Sequence, residues 1–282
     1  MIPVKLSIVC DDLGICRERD TGILKCIKYG VATKASILPN GTSSLNAIDI
    51  FRKSNLLHTI GLHLNLTEGQ PISPVSEISS LLNPDGTFMN KTNRNFSLCL
   101  KDHISIEITA QINWFTKHIG YLPSHIDGHQ HCHVHPIVSE TFARVVSDFG
   151  IRQVRIPNEC YLDENILCQN CEIVQTECAI ARRIFRKYGL FSPSLFIGLT
   201  FCNIPYTVET FVKRIQNVKN KWRNENEGKD DDNKIIVIEI MVHPGLKGNS
   251  WDHFNCSTNR QLEMEVLCDP ECKEALFDML PE

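Results

Sequence analysis

Residues 124–136, SHIDGHQHCHVHP, carry five of the chain's eleven histidines, at positions 125, 129, 131, 133 and 135. Imidazole is the commonest metal ligand and the side chain whose ordinary pKa lies nearest neutrality, so this concentration points to metal or proton chemistry. A polar loop with incidental metal affinity would also fit it. What decides between the two is whether acidic partners occur elsewhere. Asp11 and Asp12 follow the apolar run KLSIVC, His63 follows TIGL, His129 follows SHIDG, and His243 follows IIVIEIMV. Each stands where a short apolar run gives way to a turn.

Side chains at successive extended positions point in different directions. One of two adjacent aspartates can therefore ligate a divalent ion while its neighbour faces a water and takes its proton. One aspartate with two histidines leaves coordination positions open, as catalytic metal sites require. In parallel α/β folds, such sites gather beyond the carboxyl ends of the strands. Asp11, Asp12, His63, His129 and His243 all occupy such ends.

The elements that must position them alternate in type. Apolar runs at 5–10, 31–38, 59–66, 124–127, 153–156, 195–198 and 235–242 read as about seven strands. Between them lie helix-period segments. Asp20 would cap a helix carrying Ile23, Leu24 and Ile27 and ending at Gly30. Ile108, Ile112, Phe115 and Ile119 form a second stripe, ended by Gly120 and Pro123. Pro136 opens a third, with Val138, Phe142, Val145 and Phe149 inward and Gly150 closing it. Val208, Phe211, Ile215 and Val218 form another. Strand and helix in alternation predict an α/β fold with a largely parallel sheet. No internal repeat or linker divides the chain, so residues 1–282 read as a single domain. Residues 67–103 look like a long insertion that shapes a pocket, and the charged stretch at 224–234 like a solvated surface loop.

Composition excludes other classes. A formal charge of −4 gives no basic surface for nucleic acid. No apolar run approaches the roughly eighteen residues that cross a bilayer, so no membrane association is expected. The N-terminal LSIVC is too short for a signal sequence and runs into Asp11, which predicts a cytoplasmic protein. The thirteen cysteines are then reduced thiols, several packed as small hydrophobes. Cys168 and Cys171 have zinc-knuckle spacing, flanked by Cys160 and Cys178, but lack the second close pair a structural zinc site needs.

Taken together, CDDLG at 10–14, PNG at 39–41, GLHLNLTEG at 61–69, HIDGHQHCHVHP at 125–136 and MVHPG at 241–245 resemble the motifs of the YdjC-type carbohydrate deacetylases, which include the chitooligosaccharide deacetylases. The resemblance runs from about residue 4 to residue 277. It implies a distorted (β/α) barrel, polysaccharide-deacetylase-like, and a metal-dependent hydrolase that removes N-acetyl groups from amino sugars. By position it implies metal ligands at Asp12, His63 and His129, a proton acceptor at Asp11 and a general acid at His243. Arg155, in VRIP, matches a family arginine near the substrate, and His131 is read as lining the pocket. The implied cofactor is one divalent ion, Mg2+ or Zn2+, the implied partner an N-acetylated carbohydrate, and a homodimer is compatible. Leu13 departs from the phenylalanine more usual after the paired aspartates. Two other readings use the same residues: a metal-dependent hydrolase of a phosphoester or another amide, and a non-catalytic carbohydrate- or metal-binding protein.

Overall fold

The computed structural model describes residues 3–89, 94–159, 161, 169–201, 206–226, 235–248, 254–255 and 257–277. Six parallel strands form one sheet: β1 (Val4–Leu13), β2 (Lys34–Ile37), β3 (Ile60–Leu64), β4 (Ile126–Gly128), β5 (Leu195–Ile197) and β6 (Ile236–Val242), in the order β4-β3-β2-β1-β6-β5. Helices cover it: α1 (Arg17–Lys28), α2 (Ser44–Lys53), α3 (Lys101–Ile119), α4 (Pro136–Asp148), α5 (Gln169–Lys187), α6 (Val208–Glu225), α7 (Thr258–Cys268) and α8 (Pro270–Phe277). With helices packed over the sheet, its strands read as nearly continuous apolar runs, and every residue of β3 is buried.

Of the seven expected strands, six form. Residues 153–156 make only single bridges, Gln153 to Phe191 and Val154 to Ile126, and Glu159 bridges to Phe196 further on. Pro157 offers no N–H to a ladder, which cuts the run short. This segment still leans on β4 at one edge and β5 at the other, so the curled sheet closes irregularly. The barrel is distorted at that seam.

The helices follow their apolar stripes. In α3, Ile104, Ile108, Ile112 and Phe115 are buried, and Gly120 closes the helix at a φ of 103°. Pro136 starts α4, where the His135 ring accepts from the Ile137 N–H at 3.3 Å. A reciprocal capping box between Thr207 and Thr210 opens α6. Asp20 is not the cap of α1: the helix starts earlier, after Cys16. Asp20 instead accepts the Gly14 N–H at 2.7 Å and the Ser43 hydroxyl, because the turn after β1 has a backbone donor to satisfy.

Of residues 67–103, the described parts before α3, 67–89 and 94–100, form a packed layer of short turns. Ile78, Leu81, Phe88 and Phe96 are buried in it, and Glu107 of α3 accepts from the Ile72 and Ser73 N–H groups, both at 2.9 Å. Of the charged stretch, 227–234 lies outside the described residues, as do Cys160 and Cys168; Cys171 and Cys178 are buried in α5. Among the described residues, no helix is long and apolar enough to cross a membrane.

One packing contact lies directly behind the strand ends. A Cβ on Gly61 of β3 would stand 2.2 Å from the His125 ring. The buried imidazole thus fills the space a side chain at 61 would take, and burial lowers its pKa to about 3. Gly61→Ala should cost about 1–3 kcal/mol, the usual penalty for overpacking. Adding His125→Ala should recover part of that loss in urea denaturation. A neutral Gly61→Ala would show that the ring does not occupy this space.

Candidate active site

Four strand ends deliver the site. The β1–β2 register shifts between Cys10 and Leu13, an irregularity that contains Asp11 and Asp12. Asp12 takes a φ of 64°, unusual outside glycine, so its carboxylate departs from the alternation of the strand. Leu13 is buried at the shift and pairs with Ile37. On β3, His63 lies in register with Asp127 of β4. After β4 the chain tightens into a 3-10 turn, His129–Val134, with Gln130 and His131 at φ values of 49° and 57°. That kink turns His129 inward and breaks the common face on which an extended segment would place all five histidines.

Ligand atoms of Asp12, His63 and His129 lie within 4.8 Å of one another. Asp12 Oδ1 is 2.9 Å from His129 Nδ1 and 3.4 Å from His63 Nε2. The remaining ring nitrogens are held by other carboxylates: His63 Nδ1 by Asp127 at 2.6 Å, and His129 Nε2 by Glu68 at 2.5 Å. Carboxylates behind ligating histidines fix ring orientation and raise ligand basicity.

The electrostatics favour a cation. Burial lowers His63, but Asp127 and Asp11 outweigh it and raise its pKa to about 10. Burial likewise lowers His129, and Asp12 and Glu68 raise it to about 9. Burial raises Asp12, yet His129, His63 and Arg19 hold it well below the usual carboxylate range. The donor set therefore fits a divalent ion: one carboxylate oxygen and two imidazoles converge in a negative field that already holds positive charge.

Asp11 stands beside this triad under different control. Its oxygens take NH1 and NH2 of Arg155 at 2.5 and 2.9 Å. Arg155 also binds Asp127 at 2.8 Å and donates Nε–H to Glu239. Burial raises the Asp11 pKa and Arg155 only partly offsets that, leaving a carboxylate more basic than an exposed one. The Arg155 guanidinium is buried and spent on three carboxylates. The structure places it near the pocket, behind Asp11, which itself lines the cavity.

The site opens into a cavity of about 620 Å³, lined by Asp11, Asp12, His63, His129, His131 and His243 among others. Burial holds the His131 and His243 imidazoles well below the usual histidine range. The His243 N–H donates to Glu263 at 2.5 Å, and its ring packs edge-on against Phe254. His133 points away, to the Arg155 carbonyl at 3.0 Å. Of the five clustered histidines, His129 alone is shifted upward; burial lowers the other four.

The motifs contained two participants that spacing did not single out. Asp127 lies two residues before His129, and Glu68 five residues after His63. Both sit inside the quoted segments, and a search for carboxylates behind the ligands would have found them. Ser36, whose hydroxyl donates to Asp11 at 3.3 Å, and Glu239 carried no local signal. Sheet register alone brings them in.

Known proteins share this arrangement of chain. The family profile described as "YdjC-like protein" matches residues 5–278. The carbohydrate deacetylase of Danio rerio is 32% identical over 95% of this chain and 92% of its own. The human carbohydrate deacetylase is 30% identical over 97% and 87%. The chitooligosaccharide deacetylase of Proteus mirabilis is 33% identical over 97% and 94%. A crystal structure of a putative cellobiose-phosphate cleavage protein from Enterococcus faecalis superposes with a TM-score of 0.75 over 99% of this chain and 95% of that one, at 24% identity, and so attests the fold. The chain belongs to the YdjC-like protein family.

Proposed function

We propose that this protein is a metal-dependent carbohydrate deacetylase that hydrolyses the acetamide of N-acetylated amino sugars and releases acetate. The observation that carries this reading is the grouping of an open Asp12–His63–His129 triad with Asp11 and His243 on one cavity. Binding a metal alone would call for neither of the last two. The names of the relatives support the substrate class. Both arginines on the cavity wall are ion-paired, Arg94 with Glu177 and Arg260 with Glu263, each at 2.7 Å, which favours an amide over a phosphoester. Free thiols such as Cys10 and Cys26 support a cytoplasmic setting.

Asp12, His63 and His129 would hold the ion. Bound there, a divalent metal acidifies water and polarises a carbonyl. Magnesium suits the carboxylate and zinc the two imidazoles, so the donors admit either. Asp11 accepts the proton of the attacking water on a carboxylate oxygen, and Arg155 fixes the direction from which it does so. The new C–O bond forms at the acetyl carbon. His243 delivers a proton from its ring to the amine as the C–N bond breaks. In the substrate-free cavity burial favours the neutral ring, so His243 gains that proton only once substrate and its developing charge are in place. His131, on the same wall, contacts the sugar.

Asp11→Asn should keep the ion and lose about 10²–10⁴ in rate, the usual contribution of a positioned base. Asp12→Asn should lose ion and rate together. Metal content by atomic emission beside acetate release checks both, and identical behaviour of the two variants would end this division of roles.

His243→Ala should slow hydrolysis of the sugar acetamide far more than that of an activated aryl acetate, whose leaving group needs no proton, with metal content unchanged. Equal losses on the two substrates would make His243 a base or a positioning group instead.

Because ligands must shed protons to bind metal, the ion should compete with them. With His129 raised to about 9 and His63 to about 10, binding near neutrality should release protons, and affinity should rise with pH until both imidazoles are neutral. Calorimetry in buffers of different ionisation enthalpy measures that release; none at all would contradict the ligand assignment.

A further inference from the structure

Arg19 reaches the site from α1, yet neither the motifs nor the reaction as written above uses it. Its side chain is fully buried. NH2 donates to Asp12 Oδ2 at 2.9 Å, the oxygen facing away from His63 and His129. NH1 donates to the carbonyl of His243 and lies 3.5 Å from that of Pro244. One planar group thus ties a candidate metal ligand on β1 to the backbone that carries His243 beyond β6.

The packing around it is built for that reach. A Cβ on Gly22 would stand 2.5 Å from Gly245 Cα, and one on Gly245 would stand 2.7 Å from Arg19 Cδ. Two glycines therefore let α1 approach the 243–245 turn closely and let the arginine stem run past it. The Leu246 N–H donates to the Glu18 carbonyl at 3.0 Å, and the Gly245 N–H to the Arg260 carbonyl at 2.9 Å. Glu263 accepts from the His243 N–H on the opposite side. The turn is held between α1 and α7, and Arg19 ties it to Asp12.

We infer that Arg19 is a positioning residue that sets Asp12 and His243 in register with one another. By occupying Oδ2 it leaves Oδ1 as the Asp12 oxygen that faces His63 and His129, the atom that would be offered to an ion. By holding the His243 carbonyl it fixes the backbone that carries the imidazole into the cavity. A guanidinium can do both because its donors lie in one rigid fork; a lysine ammonium is a single point that satisfies one partner at a time. The inference rests on the roles proposed above for Asp12 and His243.

The test uses the full chain and two variants, Arg19→Met and Arg19→Lys. Binding of Mg2+ or Zn2+ alone is measured by calorimetry, thermal unfolding is followed without metal, and rates are compared on an N-acetylglucosamine oligomer and an activated aryl acetate. Arg19→Met should weaken ion binding by about 10–100-fold, the usual effect of losing a group that orients a ligand. It should also lower the amide-to-ester rate ratio by about tenfold or more, the direction expected when general acid catalysis is impaired. Arg19→Lys, which keeps the buried charge, should restore ion affinity to within about tenfold and leave the ratio low, because one ammonium cannot hold both partners.

In a His243→Ala background, Arg19→Met should no longer change the ratio, since the two changes act through one group. Ion affinity within about twofold of the parent and an unchanged ratio in both variants would overturn the inference. So would losses that merely track a fall in thermal stability of the metal-free protein. If His243→Ala itself leaves the ratio unchanged, the general-acid reading is what fails, and ion affinity in the two Arg19 variants then decides the Asp12 half of the inference.

Discussion

The Arg155 guanidinium lies buried among Asp11, Asp127 and Glu239, and the strand ends around the site depend on that contact. The three carboxylates come from β1, β4 and β6, and Arg155 itself from the segment that leans on both sheet edges. Removing one partner of a buried ion pair typically costs about 3–5 kcal/mol, because the remaining charge stays in low dielectric. Here the loss of one cation would strand three anions. Sheet closure and the basicity of Asp11 are therefore aspects of one electrostatic arrangement, and the short irregular seam at 153–156 is tolerated because side-chain charge does there what ladder hydrogen bonds do elsewhere.

How much of this was legible depended on distance along the chain. The helical stripes of α3, α4 and α6 rest on contacts three and four residues apart, and they formed as their periodicity predicts. That Asp11, Asp12, His63, His129 and His243 meet on one cavity, which His131, read from the histidine cluster, lines as well, was legible because strand ends recur at recognisable breaks in apolar pattern. Glu239 was not: a glutamate inside IIVIEIMV reads as an intrusion in a buried strand, and only the register Ser7 to Glu239 beside Arg155 explains it. Arg155 was found for its motif, but its pairing with Asp11, Asp127 and Glu239 was not, since sequence cannot tell a side chain that faces a cavity from one that braces a residue that does.

The histidine cluster shows the same boundary in sharper form. Odd-numbered spacing predicts one face for all five rings, provided the backbone stays extended. Left-handed Gln130 and His131 end that extension directly after His129. The rings then separate into distinct environments: His125 against Gly61, His129 between two carboxylates, His131 on the cavity wall, His133 on a backbone carbonyl and His135 at the start of α4. Abundance drew attention to the segment, but the surrounding charge, rather than the count of imidazoles, selects the ligand.

That surrounding charge also suits the triad to a divalent ion. Five carboxylates, Asp11, Asp12, Glu68, Asp127 and Glu239, converge on the triad and its supports, opposed by Arg19 and Arg155. The same carboxylates raise His63 and His129 well above the ordinary histidine value, which favours their protonated forms near neutrality. A divalent ion that displaced two such protons would bring in the same two positive charges. Such an exchange would leave the buried charge balance unchanged, with no uncompensated charge in the interior. The neutral rings of His131 and His243 stand outside this exchange. That separation would let the triad trade protons for metal while His243 serves the substrate, as the proposed reaction requires.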